Sequence, residues 1–200
     1  MRILVFGASG AVGSRVVHEA LSRGHQVTAV SRSGPVQGDA SDAGDVARLS
    51  QGHDVVISAT RPRAGQEAEL VLAAKGLMNG LRGSGTRLIL VGGAASLTVP
   101  GTGLTMVEQP DFPDEYRPIA EACNEQLALV KAFDDVDWTY VSPPDLLEPG
   151  VRTGGYRLGA DELVVAADGT STISMEDFAV ALLDEAEHPQ HHRRRFTVGY

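Results

Sequence analysis

The chain has 200 residues, 42% of them apolar, a formal charge of −9 and a single cysteine. That length suits one domain with a proper core. The acidic balance speaks against a nucleic-acid footprint, and one cysteine excludes an internal disulfide. Arg2 leads straight into a strand-like run, so no secretion-signal layout is read at the start. No apolar run has the length of a membrane span, and the expectation is a cytoplasmic protein.

Arg2 to Phe6 (RILVF) reads as a buried parallel strand. Gly7-Ala8-Ser9-Gly10-Ala11-Val12-Gly13 follows, and then a helix to Ser22 with Val12, Val16, Val17, Ala20 and Leu21 on its inner face. Gly7 permits the tight turn, Gly10 lets backbone approach a pyrophosphate, and Gly13 lets helix and strand pack closely. The first N–H groups of such a helix have no internal partners and can hold phosphate oxygens. A glycine pattern between a strand and a helix predicts a dinucleotide site.

Gln26 to Ser31 is the second strand, and Gly24 before it closes the first helix. Arg32-Ser33 at its end is where an adenosine ribose would lie. An arginine with no acid beside it suits a 2′-phosphate, and so NADP(H) in preference to NAD(H). A short third strand runs from Val36 to Asp39, and a helix from Ser41 to about Ser50. Asp39-Ala40 reaches the adenine edge. Asp39 either accepts from the adenine amino group or caps the following turn. His53 to Ala59 is the fourth strand, with Ser58, Ala59 and Thr60 at the carboxyl end where ribose and phosphates bind. Arg61-Pro62-Arg63 is a cationic loop that reaches a phosphate or an acidic substrate, or is simply solvated.

Gln66 to Arg82 is an amphipathic helix with Leu70, Val71, Ala74, Leu77, Met78 and Leu81 inward. Thr86 to Val91 is the fifth strand, leaving through Gly92-Gly93-Ala94-Ala95-Ser96. Thr98 to Glu115 is long for a connection in a compact domain and reads as a substrate lid or a mobile surface loop. Tyr116 to Phe133 is the next helix, with Cys123 on its apolar face beside Ile119, Leu127 and Val130. Asp137 to Ser142 is the sixth strand, ended by Pro143-Pro144, which cannot extend a central strand.

Leu146 to Gly155 reads as a loop. Gly159 to Thr172 is expected to hold a short strand and a turn at Asp168-Gly169. Ser174 opens a last helix, Met175 to Glu187, with Phe178, Ala181, Leu182 and Leu183 inward. Arg195 to Gly199 closes as a strand, and Arg193-Arg194-Arg195 reads as its solvated entry. His188, His191 and His192 lack a neighbouring acid or second ligand type, so no metal site is read there. The alternation of strands and helices predicts an α/β fold with a doubly wound parallel sheet.

These motifs together resemble a known family. GASGAVG, Arg32, DVVISA, LVGGAASL, DWTYVSPPDLLEPG, TGGYRLG and the closing SMEDFAVALLDEAEHPQHHRRRFTVGY are similar to the atypical short-chain dehydrogenase/reductase group. Within it they resemble the small NAD(P)H-binding proteins of the NADH-flavin reductase type, akin to NmrA-like and flavin/biliverdin reductase B proteins. The resemblance covers nearly the whole chain. It implies a single Rossmann domain over residues 1–200 with a small C-terminal appendage, residues 143–200 supplying the substrate side. It also implies that Gly7, Ala8, Ser9, Gly10, Ala11 and Val12 line the pyrophosphate, and that Arg32 and Ser33 take the 2′-phosphate. Asp39 and Ala40 take the adenine, Ser58, Ala59 and Thr60 line the ribose, and Ser142, Pro143 and Pro144 approach the nicotinamide.

The Tyr-x-x-x-Lys pair of the classical superfamily members is missing. Tyr116 has the position, but Ala120 stands four residues on, and the lysines, Lys75 and Lys131, follow no tyrosine at that spacing. Tyr116 and Ser96 are the remaining candidates for contact with substrate. Making an alcohol from a carbonyl needs an acid. A planar conjugated acceptor, a flavin or a quinone, spreads the incoming charge and takes its proton from solvent. The sequence therefore leads to an NADPH-dependent reductase with a planar small-molecule acceptor, working without nucleic acid or membrane, as a monomer or homodimer. The alternatives are a non-catalytic NmrA-like NADP(H) sensor and, behind it, an isomerase of epimerase/dehydratase type.

Overall fold

The computed structural model describes residues 1–200. Strands β1 (Arg2–Phe6), β2 (Gln26–Ser31), β3 (Val36–Gln37), β4 (Val55–Ser58), β5 (Arg87–Val91) and β6 (Trp138–Ser142) alternate with helices α1 (Ala11–Ser22), α2 (Ala43–Ser50), α3 (Ala68–Leu81) and α4 (Arg117–Lys131). After them come β7 (Leu146–Glu148), β8 (Arg157–Gly159), β9 (Thr172–Ser174), α5 (Met175–Glu187) and β10 (Arg194–Gly199). The main sheet has the order β3-β2-β1-β4-β5-β6-β10-β8. All its pairings are parallel except β10 with the edge strand β8. The expected doubly wound sheet is present, with β1 and β4 side by side where the strand order reverses.

Alternation along the strands builds two cores. Leu4, Phe6, Val56, Leu88, Leu90 and Tyr140 point to the face covered by α2, α3 and α4. Ile3, Val5, Ile57, Ile89, Val141 and Phe196 point to α1 and α5. A strand buried on both faces has to be apolar at every position, which is why RILVF does not alternate.

The C-terminal third departs from the sequence reading. Leu146–Glu148 is a strand, paired in parallel with β9 as a separate two-stranded sheet. The expected strand within 159–172 lies earlier, at 157–159, where β10 offers an edge. Residues 160–171 are irregular, with the turn at Asp168-Gly169 as read. Leu21 is not part of the inner face of α1 but 55% exposed, because the stripe centres on Val16 and Ala20. The long 98–115 segment is pinned rather than free. Thr98 donates its N–H to the Asp161 carbonyl and accepts from Leu163 N–H, while Met106 and Val107 N–H donate to Leu97 and Ala95 carbonyls. It holds two 3₁₀ turns, Met106–Glu108 and Asp114–Tyr116, the first closed by a capping box from Thr105 and Glu108.

Charge fixes the helix pair on the second face. Glu19 of α1 is buried and accepts from Arg23 Nε at 2.8 Å and from Arg152 Nε and Nη2, both at 2.7 Å. Arg23 reaches on to Asp184 and Glu187 of α5, each at 2.7 Å. One acid thus ties α1, α5 and the loop before β8. The hydrogen bonds from Arg152 hold the Glu19 carboxyl down to about 2; burial opposes this and Arg23 adds to it. A group depressed on folding stabilises fully above its ordinary value of 4.5, and that stability is lost as pH falls towards 2. Glu19→Gln is expected to cost about 2 kcal/mol near neutral pH. The gap to the parent should close as pH drops through that window, as urea titrations across the range would measure.

Candidate functional site

The carboxyl ends of β1, β2, β4, β5 and β6 open onto one edge of the sheet, the edge at which open α/β sheets bind ligands. Gly7 leaves β1 at φ +76°, a region in which a side chain is strained. A Cβ on it would lie 2.5 Å from the Ala59 carbonyl oxygen and 2.9 Å from Thr60 N. The exits of β1 and β4 are therefore in direct contact. A Cβ on Gly13 would lie 2.1 Å from the Gly7 carbonyl oxygen, so α1 seats on the turn itself. Gly10 is different. Its missing Cβ meets the Gly7 oxygen at 3.2 Å and the Ala59 oxygen at 3.9 Å, and the residue is exposed. Gly7 and Gly13 have the packing roles read from the sequence, and Gly10 leaves its side of the turn open.

Gly10 caps α1 without a side-chain hydrogen bond, and no acid lies in the first turn. The N–H groups of Ser9, Ala11, Val12 and Gly13 have no protein acceptor, while Ala8 N–H is tied to Val30 O at 3.1 Å. Four free donors at a positive helix end, unscreened by side chains, fit a pyrophosphate.

At the β2 exit Arg32 is exposed, with Nη1 3.7 Å from Glu69 Oε2 on the first turn of α3. Ser33 is exposed beside it. The strand leading up to it carries no acid, but the fold brings one from 37 residues away (69 less 32). Asp39 is committed to its own turn: Oδ1 accepts from Ser41 N–H at 2.8 Å and Ser41 Oγ at 2.7 Å. The cap is thus formed, and it leaves Oδ2 free to accept, so the adenine reading stands beside it. Ala40 is buried, and its carbonyl packs against Gly76 of α3.

At the β4 exit Ser58 is buried, its hydroxyl 3.3 Å from Thr60 Oγ1, and Ala59 is buried between them. Arg61 and Arg63 are exposed and make neither an ion pair nor a side-chain hydrogen bond. At the β6 exit Ser142 is fully buried with an unpartnered hydroxyl, Pro143 is half-buried and Pro144 buried.

Of the two residues singled out for substrate contact, Ser96 is engaged within the chain and Tyr116 stands open to solvent. Ser96 Oγ accepts from Arg195 Nη1 at 2.8 Å. Arg195 is itself no solvated strand entry. Its side chain is only 6% exposed and pairs with Asp161. Tyr116 is 54% exposed, and its hydroxyl makes no hydrogen bond. His191 and His192 do meet acids at the opposite edge of the sheet, His191 at 2.8 Å from Glu185 six residues back and His192 at 2.9 Å from Asp137 in distant chain.

The sequence reading did not find Glu69, Tyr140, Gln126 or Asp161, which shape the exits through long-range contacts with no local motif. Cys123 lines the β5 exit as well: a Cβ on Gly93 would lie 2.6 Å from its Sγ. Burial pushes the Cys123 thiol up to about 11 against the pull of Arg61, so it stays protonated.

A family model described as NAD(P)H-binding matches residues 7–189. The chain is 40% identical over 208 aligned positions to the uncharacterized protein YwnB of Bacillus subtilis, covering 99% of this chain and 98% of that one. A Streptococcus pneumoniae structure, provisionally named an NADH-flavin reductase, superposes with a TM-score of 0.90 at 32% identity, over 100% of this chain and 99% of the other. A Bacteroides thetaiotaomicron structure, provisionally named an epimerase, does so with 0.90 at 38% identity, over 100% and 96%. No helix of the chain is long and apolar enough to cross a membrane.

The glycines separate fold from ligand. Gly13→Ala should destabilise by about 1–3 kcal/mol, since backbone must move. Gly10→Ala should cost under about 1 kcal/mol yet weaken nicotinamide dinucleotide binding, because its methyl group enters the cradle. Melting curves and cofactor titrations of the two variants measure both.

Proposed function

The chain belongs to the NAD(P)H-binding family, and on that premise we propose that it is an NADPH-dependent reductase that passes hydride to a planar conjugated acceptor such as a flavin or quinone. The observation that carries this is a pyrophosphate-ready turn beside strand exits that hold no available acid. When bound, the cofactor would supply a hydride from its nicotinamide ring. The chain supplies the seat: free N–H groups at Ser9 and Ala11 to Gly13 for the pyrophosphate, and Arg32 for the adenosine end.

Protonation of an alkoxide would need a donor of suitable pKa within reach. Tyr116 has no lysine one turn on. Ser96 is held by Arg195. Tyr140, at the β5 exit, is buried, and burial raises its phenol further from titration. An acceptor that delocalises charge avoids this requirement, and the protein's task reduces to holding donor and acceptor face to face. The same lack of a base at the exits disfavours an isomerase.

Titration with NADPH and NADH, followed by anaerobic rapid mixing with FMN and with a simple naphthoquinone, tests the reading. Tight NADPH binding and prompt loss of reduced-nicotinamide absorbance are expected. Binding without oxidation by any acceptor would overturn it in favour of a cofactor-sensing protein. Cofactor choice has its own test. Arg32→Ala should weaken NADPH about 10-fold or more, the worth of one charge-assisted hydrogen bond, and leave NADH unchanged. Glu69→Gln should tighten NADPH by removing a competing carboxylate. Equal losses for both cofactors in Arg32→Ala would rule out a 2′-phosphate role.

A further inference from the structure

The turn that leaves β5 is held by side chains in a way that the backbone ladder does not require. Gly92 N–H donates to the Val141 carbonyl at 3.0 Å, the last ladder bond between β5 and β6. Beyond it the chain turns through Gly93, Ala94, Ala95 and Ser96, closed by Leu97 N–H to Ala94 O at 2.8 Å. A Cβ on Gly92 would fall 1.9 Å from the Tyr140 ring, so the ring fills the notch that this glycine leaves. Gly93 N–H donates to the Tyr140 hydroxyl at 3.1 Å. That hydroxyl has one proton, and its two acceptors, Gln126 Oε1 and the Cys123 carbonyl, each lie at 3.1 Å. Tyr140 and Gln126 are each 1% exposed. At the other end Arg195 donates to Ser96 Oγ, and Asp161 takes the rest of its guanidinium.

We infer that Tyr140 is a positioning residue of the substrate site, its hydroxyl fixing the Gly93 N–H while Arg195 fixes Ser96, so that the β5 exit turn is a rigid wall against which the acceptor lies. This rests on the reductase reading for its kinetic consequence, though not for its structural one. The turn lies beyond the carboxyl end of β5, next to the β1–β4 crevice, so anything stacked beside a cofactor held there meets it. Hydride transfer is steep in donor–acceptor distance, and a misplacement near 1 Å from a remote change can cost about 10²-fold. The neighbouring groups are an amide, a carbonyl, the buried Cys123 thiol and Arg195, so Tyr140 has no base to receive its proton and acts by geometry alone.

Tyr140→Phe keeps the ring in the Gly92 notch and removes only the hydroxyl. Its turnover with NADPH and FMN should fall about 10-fold, with NADPH affinity unchanged and the pH profile keeping the parent's shape. Amide exchange at Gly93 should quicken at least about 10-fold. Ser96→Ala, which frees the second pin, should add a further loss in the double variant. Unchanged turnover together with unchanged exchange would overturn the inference. So would a loss of NADPH affinity that tracks a fall in melting temperature, the mark of a merely structural tyrosine. A shifted pH profile would make Tyr140 an acid and overturn positioning. If the parent oxidises no NADPH, the reductase reading fails, and exchange at Gly93 alone decides whether the hydroxyl holds the turn.

Discussion

The carbonyl oxygen of Gly7 occupies the space that a side chain on Gly13 would need, at 2.1 Å. This contact sets the distance between the first helix and the sheet. It also sets where the helix begins, and so where the free N–H groups of its first turn point. Gly7 in turn lies against Ala59 and Thr60 at the end of β4. Close packing here is mutual: β1, α1 and β4 are locked by backbone meeting backbone, with no flexible side chain to absorb an error. The ligand edge of the molecule inherits its shape from that lock.

Away from this edge the fold relies on charge. Glu19 binds α1 to α5 and to the loop before β8, and Glu185 does a similar job at the opposite end of the sheet. Glu185 is buried and accepts from His191 and the side chain of Arg87, which also reaches Thr139 Oγ1 at 2.6 Å. Burial raises the Glu185 carboxyl, but the donors from His191, Arg87 and Gln190 outweigh it and leave it below the ordinary range. Buried acids of this kind are costly unless every oxygen is satisfied, and both are. With so many arginines spent on such clamps, Arg61 and Arg63 stand out as cations at the ligand edge with no acid of their own.

The first 60 residues were readable because their determinants are local. A strand buried on both faces, a glycine turn and an amphipathic helix follow from neighbours in sequence, and Gly7 and Gly13 do what their spacing implies. The last 60 were readable only in part: α5 and β10 lie where their patterns put them, but the short strands do not. Leu146–Glu148 is a strand only because Thr172–Ser174 lies beside it, and Arg157–Gly159 only because β10 offers an antiparallel edge. Short strands of this sort carry no periodicity of their own. Arg195 misread for the same reason: a triple-arginine run looks solvated until Asp161 is known to cover it. Asp39 was legible as far as two alternatives, of which the hydrogen bonds from Ser41 form the cap through Oδ1 alone.

The hydroxyl groups at the strand exits bear directly on the chemistry. Ser58 and Thr60 face one another. Ser96 accepts from a guanidinium, which leaves its own proton poorly placed to be replaced once donated. Tyr140 accepts from Gly93 and donates inward, towards α4, rather than to the crevice. Ser142 is buried out of reach. Ser58, Thr60, Ser96 and Tyr140 are engaged within the chain, Ser142 is buried without a partner, and none is poised to exchange a proton across the edge. On the reductase reading proposed above, a crevice wall with no hydroxyl poised to donate suits an acceptor that can carry its new charge until water arrives, which is the property of an extended conjugated ring.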